Sequence, residues 1–350
     1  MHGTQTSRNL CVLIPARNEA IGIGGTITSL LEAGLPASDI YVIDDGSTDG
    51  TGDIARGMGA NVFRNEKNLG KATAVRKATT HFSLEQRYDF LSLMDADTRV
   101  NSVYFEKIAE TFQVNPDAGL VFGKVKNFAH NWITAYRCLC YAYGQWVYKD
   151  SQSRWHVVTV APGCSSTYRT TASAKLEWSK DTITEDMDCT IQFNRKKLGK
   201  VLYQKEAIVY TQDPQTLRDY IRQIYRWDTG TWQVGRKHRM WQGVSPIDWE
   251  FKLLMGEGIL FSLLFMLLPL WMYLWKGAGY AIPIDMAVLF IASLVCAHTE
   301  GRPDAALYAP FAIVLRLTDC AVFLYSFVET VVLGRRIHSW FAVKRYSESQ

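Results

Sequence analysis

Strand, polar loop and helix alternate at least four times in the first third of this chain, and few folds accept that order. Residues 10–14 are a short apolar run stopped by Pro15, with Ala16-Arg17-Asn18-Glu19 as a loop and residues 21–33 as a helix. Residues 40–43 form a second strand that runs into Asp44-Asp45-Gly46-Ser47-Thr48-Asp49, where Ser47 or Thr48 is the expected helix N-cap. A third strand at residues 61–63 leads to the turn Asn68-Leu69-Gly70-Lys71 and a helix over residues 72–81. The strand at residues 90–94 runs straight into Asp95-Ala96-Asp97, and a helix over 101–113 and a strand over 119–122 follow. This order predicts an α/β domain with a mostly parallel sheet.

In such a sheet, ligands bind at the carboxyl ends of the strands. The polar ends after the first, second and fourth strands therefore share one edge, where Asp44, Asp45, Asp95 and Asp97 converge. Converging carboxylates repel one another unless a cation sits among them. Hard oxygen ligands select Mg²⁺ or Mn²⁺, which neutralise a diphosphate. The competing reading of Asp95 and Asp97 is a solvated acidic turn.

Further along, residues 157–160 read as a strand, followed by Ala161-Pro162-Gly163-Cys164-Ser165-Ser166, whose small residues let a ligand approach the backbone. Thr184-Glu185-Asp186 precedes Asp188, with Asp181 or Thr182 as the expected cap of the next helix. Acids at a helix start suit its dipole, but that accounts for one carboxylate rather than three. A strand over 201–210 leads to a helix over 217–232 carrying Gln223-Ile224-Tyr225-Arg226-Trp227. Arg222 and Arg226 lie one turn apart, either as a clamp for phosphate oxygens or as a basic face on lipid headgroups. The aromatic-rich stretch 132–148 is either core packing or a platform for sugar rings.

The chain has 350 residues and a net charge of +4, too small to argue for nucleic acid. Its seven cysteines contain no CxxC pair, and Cys138 and Cys140 are too close along a helix to bridge, so reduced thiols are expected. Residues 1–9 are polar and carry no signal peptide. Residues 259–275 are uncharged, and extended back to Leu253 the run is long enough to cross a bilayer. Residues 278–297 form a second apolar stretch and 305–333 a third, which holds Arg316, Asp319 and Glu329, with Arg316 and Asp319 spaced to pair at i, i+3. Residues 246–254 have an interfacial look, with Trp249 and Phe251 among charges. Basic residues in the domain and at Arg335-Arg336 and Lys344-Arg345 would place both on the cytoplasmic face. Three crossings would separate them, so either one apolar piece is re-entrant or the tail breaks the tendency.

Five motifs in order, Pro15-Ala16-Arg17-Asn18-Glu19, Asp44 to Asp49, Asp95-Ala96-Asp97, Thr184-Glu185-Asp186 and Gln223 to Trp227, resemble those of the membrane-associated inverting glycosyltransferases of family 2. That group holds the cellulose, chitin, hyaluronan and poly-N-acetylglucosamine synthases. The resemblance covers roughly residues 10–240 and implies a GT-A fold, Rossmann-like, followed by an α-helical membrane region. It implies a nucleotide-sugar donor whose nucleoside is held by Ala16, Glu19, Asp44, Asp45 and Lys71. Asp95 and Asp97 would hold ribose and a divalent metal, Mg²⁺ or Mn²⁺. Asp186 would be the general base, with Glu185 beside it in substrate contact. Gln223, Arg226 and Trp227 would grip the diphosphate and stack near the acceptor, and Cys164 would border the acceptor sugar.

The expected organisation is a catalytic domain over 1–240, an interfacial linker helix over 241–252, a transmembrane region over 253–340 and a polar tail over 341–350. The expected activity is transfer of a sugar from UDP-N-acetylglucosamine or UDP-glucose, with inversion, to a growing β-linked glycan. The alternative is transfer of one sugar to a lipid or protein acceptor. Membrane lipid is a partner in either case. The chain departs from the synthases in having no apolar segment before residue 10 and a short membrane region, so secretion of a polymer would call for homo-oligomers or partners.

Overall fold

The computed structural model describes residues 9–179, 181–335 and 346. Residues 1–8, Arg336, Lys344-Arg345 and all of the polar tail except Tyr346 lie outside the described residues. In chain order the elements of the first part are β1 Leu10–Ala16, α1 Ile23–Glu32, β2 Ile40–Asp45, α2 Thr51–Gly57, β3 Asn61–Asn65, α3 Lys71–His81, α4 Leu84–Arg87, β4 Phe90–Leu93, β5 Arg99–Val100, α5 Tyr104–Val114 and β6 Ala118–Asn127. They continue with α6 Trp132–Tyr143, a π-helical segment Gly144–Lys149, α7 Asp150–Arg154, β7 Ser166–Arg169, α8 Thr170–Ser173, α9 Glu185–Lys196, β8 Lys200–Thr211 and α10 Leu217–Lys237.

Eight strands form one sheet in the order β3-β2-β1-β4-β7-β6-β8-β5. β3, β2, β1 and β4 are parallel, as are β6 and β8. β7 runs antiparallel to both β4 and β6, and β5 antiparallel to β8. The sheet is therefore mixed, with four of its seven strand pairs parallel. Alternate residues of β1 enter opposite layers, as a two-residue period requires. Val12 and Ile14 pack with Ile23, Ile27 and Ile108 on one side, whereas Cys11 and Leu13 pack with Val75, Ala78 and Phe193 on the other. Full burial of each large side chain stabilises the domain by roughly 1.5–3 kcal/mol.

Three local expectations change. Residues 157–160 are not a strand; the strand is the more polar β7, seated between β4 and β6. Its hydroxyls are paid for locally, because Thr167 Oγ1 and Ser92 Oγ of β4 lie 2.6 Å apart. Helix α2 starts after Gly50, not at Ser47 or Thr48, because Gly46 and Gly50 both take positive φ and carry the chain through a longer turn. Thr184, not Asp181 or Thr182, is the N-cap of α9.

Beyond α10 follow α11 Pro246–Met266, α12 Leu268–Leu274, α13 Ala281–Glu300, α14 Pro303–Leu307 and α15 Ala312–Phe327. Gly277–Glu300 and Ala309–Val332 are long and apolar enough to cross a membrane. The expected first span is instead a bent pair, α11 and α12, turned by 60°. Pro269 in the first turn of α12 cannot donate to the preceding turn and clashes with it. Phe251 is not interfacial: it is fully buried against Trp241, with ring centroids 5.3 Å apart, whereas Trp249 is exposed. Arg316 pairs across helices with Asp285 rather than with Asp319. Asp319 accepts hydrogen bonds from Tyr136 (2.9 Å) on α6 and Tyr220 (2.6 Å) on α10. Trp232 donates to Ser326 (3.0 Å), and Lys124 and Lys126 of β6 both pair with Glu300. Asp319, Ser326 and Glu300 thus face the α/β domain, whereas Arg316 and Asp285 satisfy each other between the apolar helices.

Candidate active site

Two loops at the carboxyl ends of β1 and β2 are interlocked. The Asn18 and Glu19 amides donate to Ser47 Oγ (3.0 Å) and Thr51 Oγ1 (2.8 Å), the Ala20 amide donates to Asp49 (3.0 Å), and the Thr48 amide donates to Asn18 Oδ1 (2.9 Å). Ala16 lies level with Asp44 across the β1–β2 pair. The side chains of Glu19, Asp44 and Asp45 are buried. Asp44 accepts from the Ser47 amide (2.8 Å) and faces Arg64 at 3.4 Å. Asp45 accepts from Asn65 (2.9 Å) and from the amides of Leu69 and Gly70, the latter at 2.9 Å. It thereby holds the turn from which Lys71 projects.

Lys71 is the hub. Its Nζ lies 2.7 Å from Asp95 Oδ1 and 3.0 Å from Glu185 Oε1, which ties the Asp95-Ala96-Asp97 turn to the first turn of α9. Burial works against this ammonium, but Asp95 and Glu185 outweigh it and hold the group well above the usual lysine range. Asp97 is buried beside the start of α1, where Thr26 Oγ1 donates to the Ala96 carbonyl (2.7 Å), and Thr211 Oγ1 lies 3.4 Å from Asp97. Asp186 accepts from the Gly163 amide at 3.2 Å. Burial first, and then the neighbouring Glu185 charge, raise its carboxyl above the ordinary value. Cys164 is buried next to this cluster, and burial, followed by the Asp95 and Asp97 charges, pushes its thiol far up. A thiol so disfavoured as thiolate is a packing or contact group.

Gln223, Trp227 and Gly230 follow each other at helical spacing on α10, and Arg226 lies on the same side. A Cβ on Gly230 would stand 2.3 Å from Thr184 Cγ2, so this face is pressed directly onto the cap of α9. Gln223 is buried, and its Oε1 has no partner among the described residues, an orphan that calls for a donor. Arg226 makes no ion pair among the described residues, and Arg222 lies 3.7 Å from Asp219. Arg137 lies 4.4 Å over the Trp227 ring and 4.6 Å over that of Tyr141, and Asp213 receives the Tyr141 hydroxyl at 2.9 Å. In the aromatic-rich stretch Tyr136 is buried in packing and Trp132, Tyr141 and Tyr148 are half-buried, whereas Tyr143 and Trp146 are exposed. Arg137 was discernible as a lone charge within an apolar helix; Lys149 carried no such signal.

Two carboxylates, Asp95 and Asp97, suit a hard cation that completes its shell from phosphate oxygens. A cation already stands at this point, the Lys71 ammonium. Among the described residues no three His, Cys, Asp or Glu side chains gather into a metal cage, so such an ion would depend on a ligand's oxygens.

The mixed sheet with its acidic edge is a GT-A-like glycosyltransferase fold. A mannosyltransferase from Pyrobaculum calidifontis, solved in complex with GDP-Man and Mn²⁺, superposes with a TM-score of 0.57 at 18% identity, covering 92% of this chain and 87% of that one. Residues 11–176 match the model of glycosyl transferase family 2. The chain is similar to the probable glycosyltransferase YdaM of Bacillus subtilis, 27% identical over 64% of this chain and 55% of that protein. It is also similar to the poly-β-1,6-N-acetyl-D-glucosamine synthase of Staphylococcus epidermidis, 25% identical over 73% of this chain and 62% of that protein. The chain thus spans somewhat over half the length of these relatives.

Proposed function

We propose that the protein is a membrane-bound glycosyltransferase that moves a sugar from a nucleotide sugar to an acceptor hydroxyl with inversion. The observation that carries this reading is Lys71, which joins Asp95 to Glu185 and so sets the acidic turn after β4 beside Asp186. Inversion is a single displacement at the anomeric carbon. The acceptor hydroxyl attacks as its proton passes to the Asp186 carboxylate, and the nucleoside diphosphate leaves from the opposite face. The raised carboxyl of Asp186 makes it a stronger base than a solvated aspartate. Arg226 and Lys71 offset the charge that develops on the departing diphosphate. Ala16, Glu19, Asp44 and Asp45 form the nucleoside wall, Gln223 and Trp227 line the acceptor side, and Cys164 borders it. When bound, Mg²⁺ or Mn²⁺ at Asp95 and Asp97 neutralises diphosphate charge.

The similarity to poly-N-acetylglucosamine synthases favours UDP-N-acetylglucosamine, then UDP-glucose, as donor and a β-linked glycan as acceptor and product. The apolar helices would hold the catalytic domain at the cytoplasmic face, with residues 241–252 as the link. The test is nucleoside diphosphate release by the full chain in lipid across UDP- and GDP-sugars, with product sizing. A ladder of products from UDP-N-acetylglucosamine is expected; a single product would make this a one-sugar transferase on a lipid or protein. Absence of release from every donor would overturn the reading.

A further inference from the structure

One lysine near this cluster has no part in the steps above. Lys149 closes the π-helical segment between α6 and α7, and such segments recur at functional sites. Its half-buried side chain turns inward and donates from Nζ to the Val160 carbonyl at 2.7 Å. Val160 opens the short stretch that ends at Gly163. The Ala161 amide donates to Thr190 Oγ1 (3.0 Å), and Thr190 Oγ1 donates to the Asp186 carbonyl (2.7 Å). The Gly163 amide donates to the Asp186 carboxylate. Residues 160–163 are therefore held against the first turn of α9 from one side and by Lys149 from the other.

Two charged groups face Lys149, Asp186 from α9 and Glu250 from α11. Glu250 is itself fixed by Gln152 of α7 (2.8 Å). Removal from water lowers the Lys149 ammonium to about 8, with Asp186 and Glu250 pulling the other way. Lysines shift readily in this manner when water is excluded.

We propose that Lys149 is a positioning residue for the base: its ammonium pins Val160, keeps the Gly163 amide on the Asp186 carboxylate, and sets a positive charge facing that carboxylate. The proposal rests on Asp186 as base. A neutral amine donates to the Val160 carbonyl more weakly than an ammonium does, so the hold on the 160–163 stretch loosens and transfer falls as pH rises through about 8.

The test is the pH profile of sugar transfer for the full chain in lipid, comparing wild type, Lys149→Arg and Lys149→Met, with thermal melts as folding controls. Wild type should lose rate above about pH 8. Lys149→Arg should keep most of its rate at neutral pH without that alkaline fall, because a guanidinium stays charged. Lys149→Met should lose kcat by roughly 10²-fold with donor KM little changed, the scale of a misplaced catalytic group. A Lys149→Arg profile that falls where wild type falls, or a folded Lys149→Met with wild-type kcat, would overturn the proposal. A wild type active on a donor while Asp186→Asn is equally active would instead remove the base reading, and this proposal with it.

Discussion

Gly230→Ala is the sharpest perturbation of how α10 meets α9. The added Cβ would stand 2.3 Å from Thr184 Cγ2 and 2.5 Å from its Oγ1, where ordinary contact begins at 3.4 Å. The helix and the cap must therefore separate by about 1 Å. Overpacking of this kind costs about 1–3 kcal/mol, and the better helix propensity of alanine returns about 1 kcal/mol. The variant should fold, with a modest fall in melting temperature. Function should suffer more, because the same face carries Gln223, Arg226 and Trp227, and Thr184 directly precedes Glu185 and Asp186. A displacement near 1 Å between two halves of a site lowers turnover by roughly 10²-fold. The assay is nucleoside diphosphate release alongside a thermal melt. Thr184→Ala removes both nearest atoms, so in the double variant part of the rate should return, a positive coupling at contacting sites. A Gly230→Ala enzyme with wild-type kcat, or no coupling to Thr184, would refute the seating of one catalytic segment on the other.

Four further outcomes follow. Asp186→Asn should abolish transfer while donor binding measured by calorimetry survives; lost binding would make Asp186 a structural or ligand-holding residue. Lys71→Gln should lower transfer by roughly 10²–10³-fold, as removal of one preorganised donor does, and a near-normal rate would show that the Asp95–Lys71–Glu185 bridge is dispensable. Chelation should stop donor turnover and Mn²⁺ should restore it, with Asp97→Asn needing more metal; chelator-resistant turnover would contradict the assignment of Asp95 and Asp97. Asp188 should govern acid stability. Burial disfavours its charge, yet hydrogen bonds from His238 (2.6 Å) and Lys237 (2.8 Å) hold its pKa below the ordinary value. Its contribution is present above the unfolded value of about 4 and is lost as pH falls through the lower folded value. Asp188→Asn should cost on the order of 3 kcal/mol at pH 7 and flatten the acid limb of a denaturation series; an unchanged acid limb would reject this.

Much of the α/β domain could be read from local pattern because each early strand is an apolar run that ends in polar residues. β1, β2 and β4 obey that rule, and they lie side by side and parallel. β7 does not, because Ser166 and Thr167 owe their place to partners far along the chain, such as Ser92, and local pattern cannot register a long-range hydrogen bond. The run at 157–160 looks like a strand for its β-branched content, yet no strand among the described residues pairs with it. Arg316 and Asp319 have ideal helical spacing, but packing of α13 on α15 gives Arg316 a closer acid in Asp285. The motif acids were identifiable one by one. That Lys71 joins two of them, and that Asp45 shapes the turn supporting Lys71, depends on loops converging from separate strands.

The most direct measurement is a structure of the full chain with UDP-N-acetylglucosamine and Mn²⁺ bound. The diphosphate should lie between Asp95, Asp97 and Arg226, with the anomeric carbon open toward Asp186 and the metal on the two aspartates. A nucleotide seated away from Lys71 and Asp95, or Asp186 turned from the sugar, would contradict it.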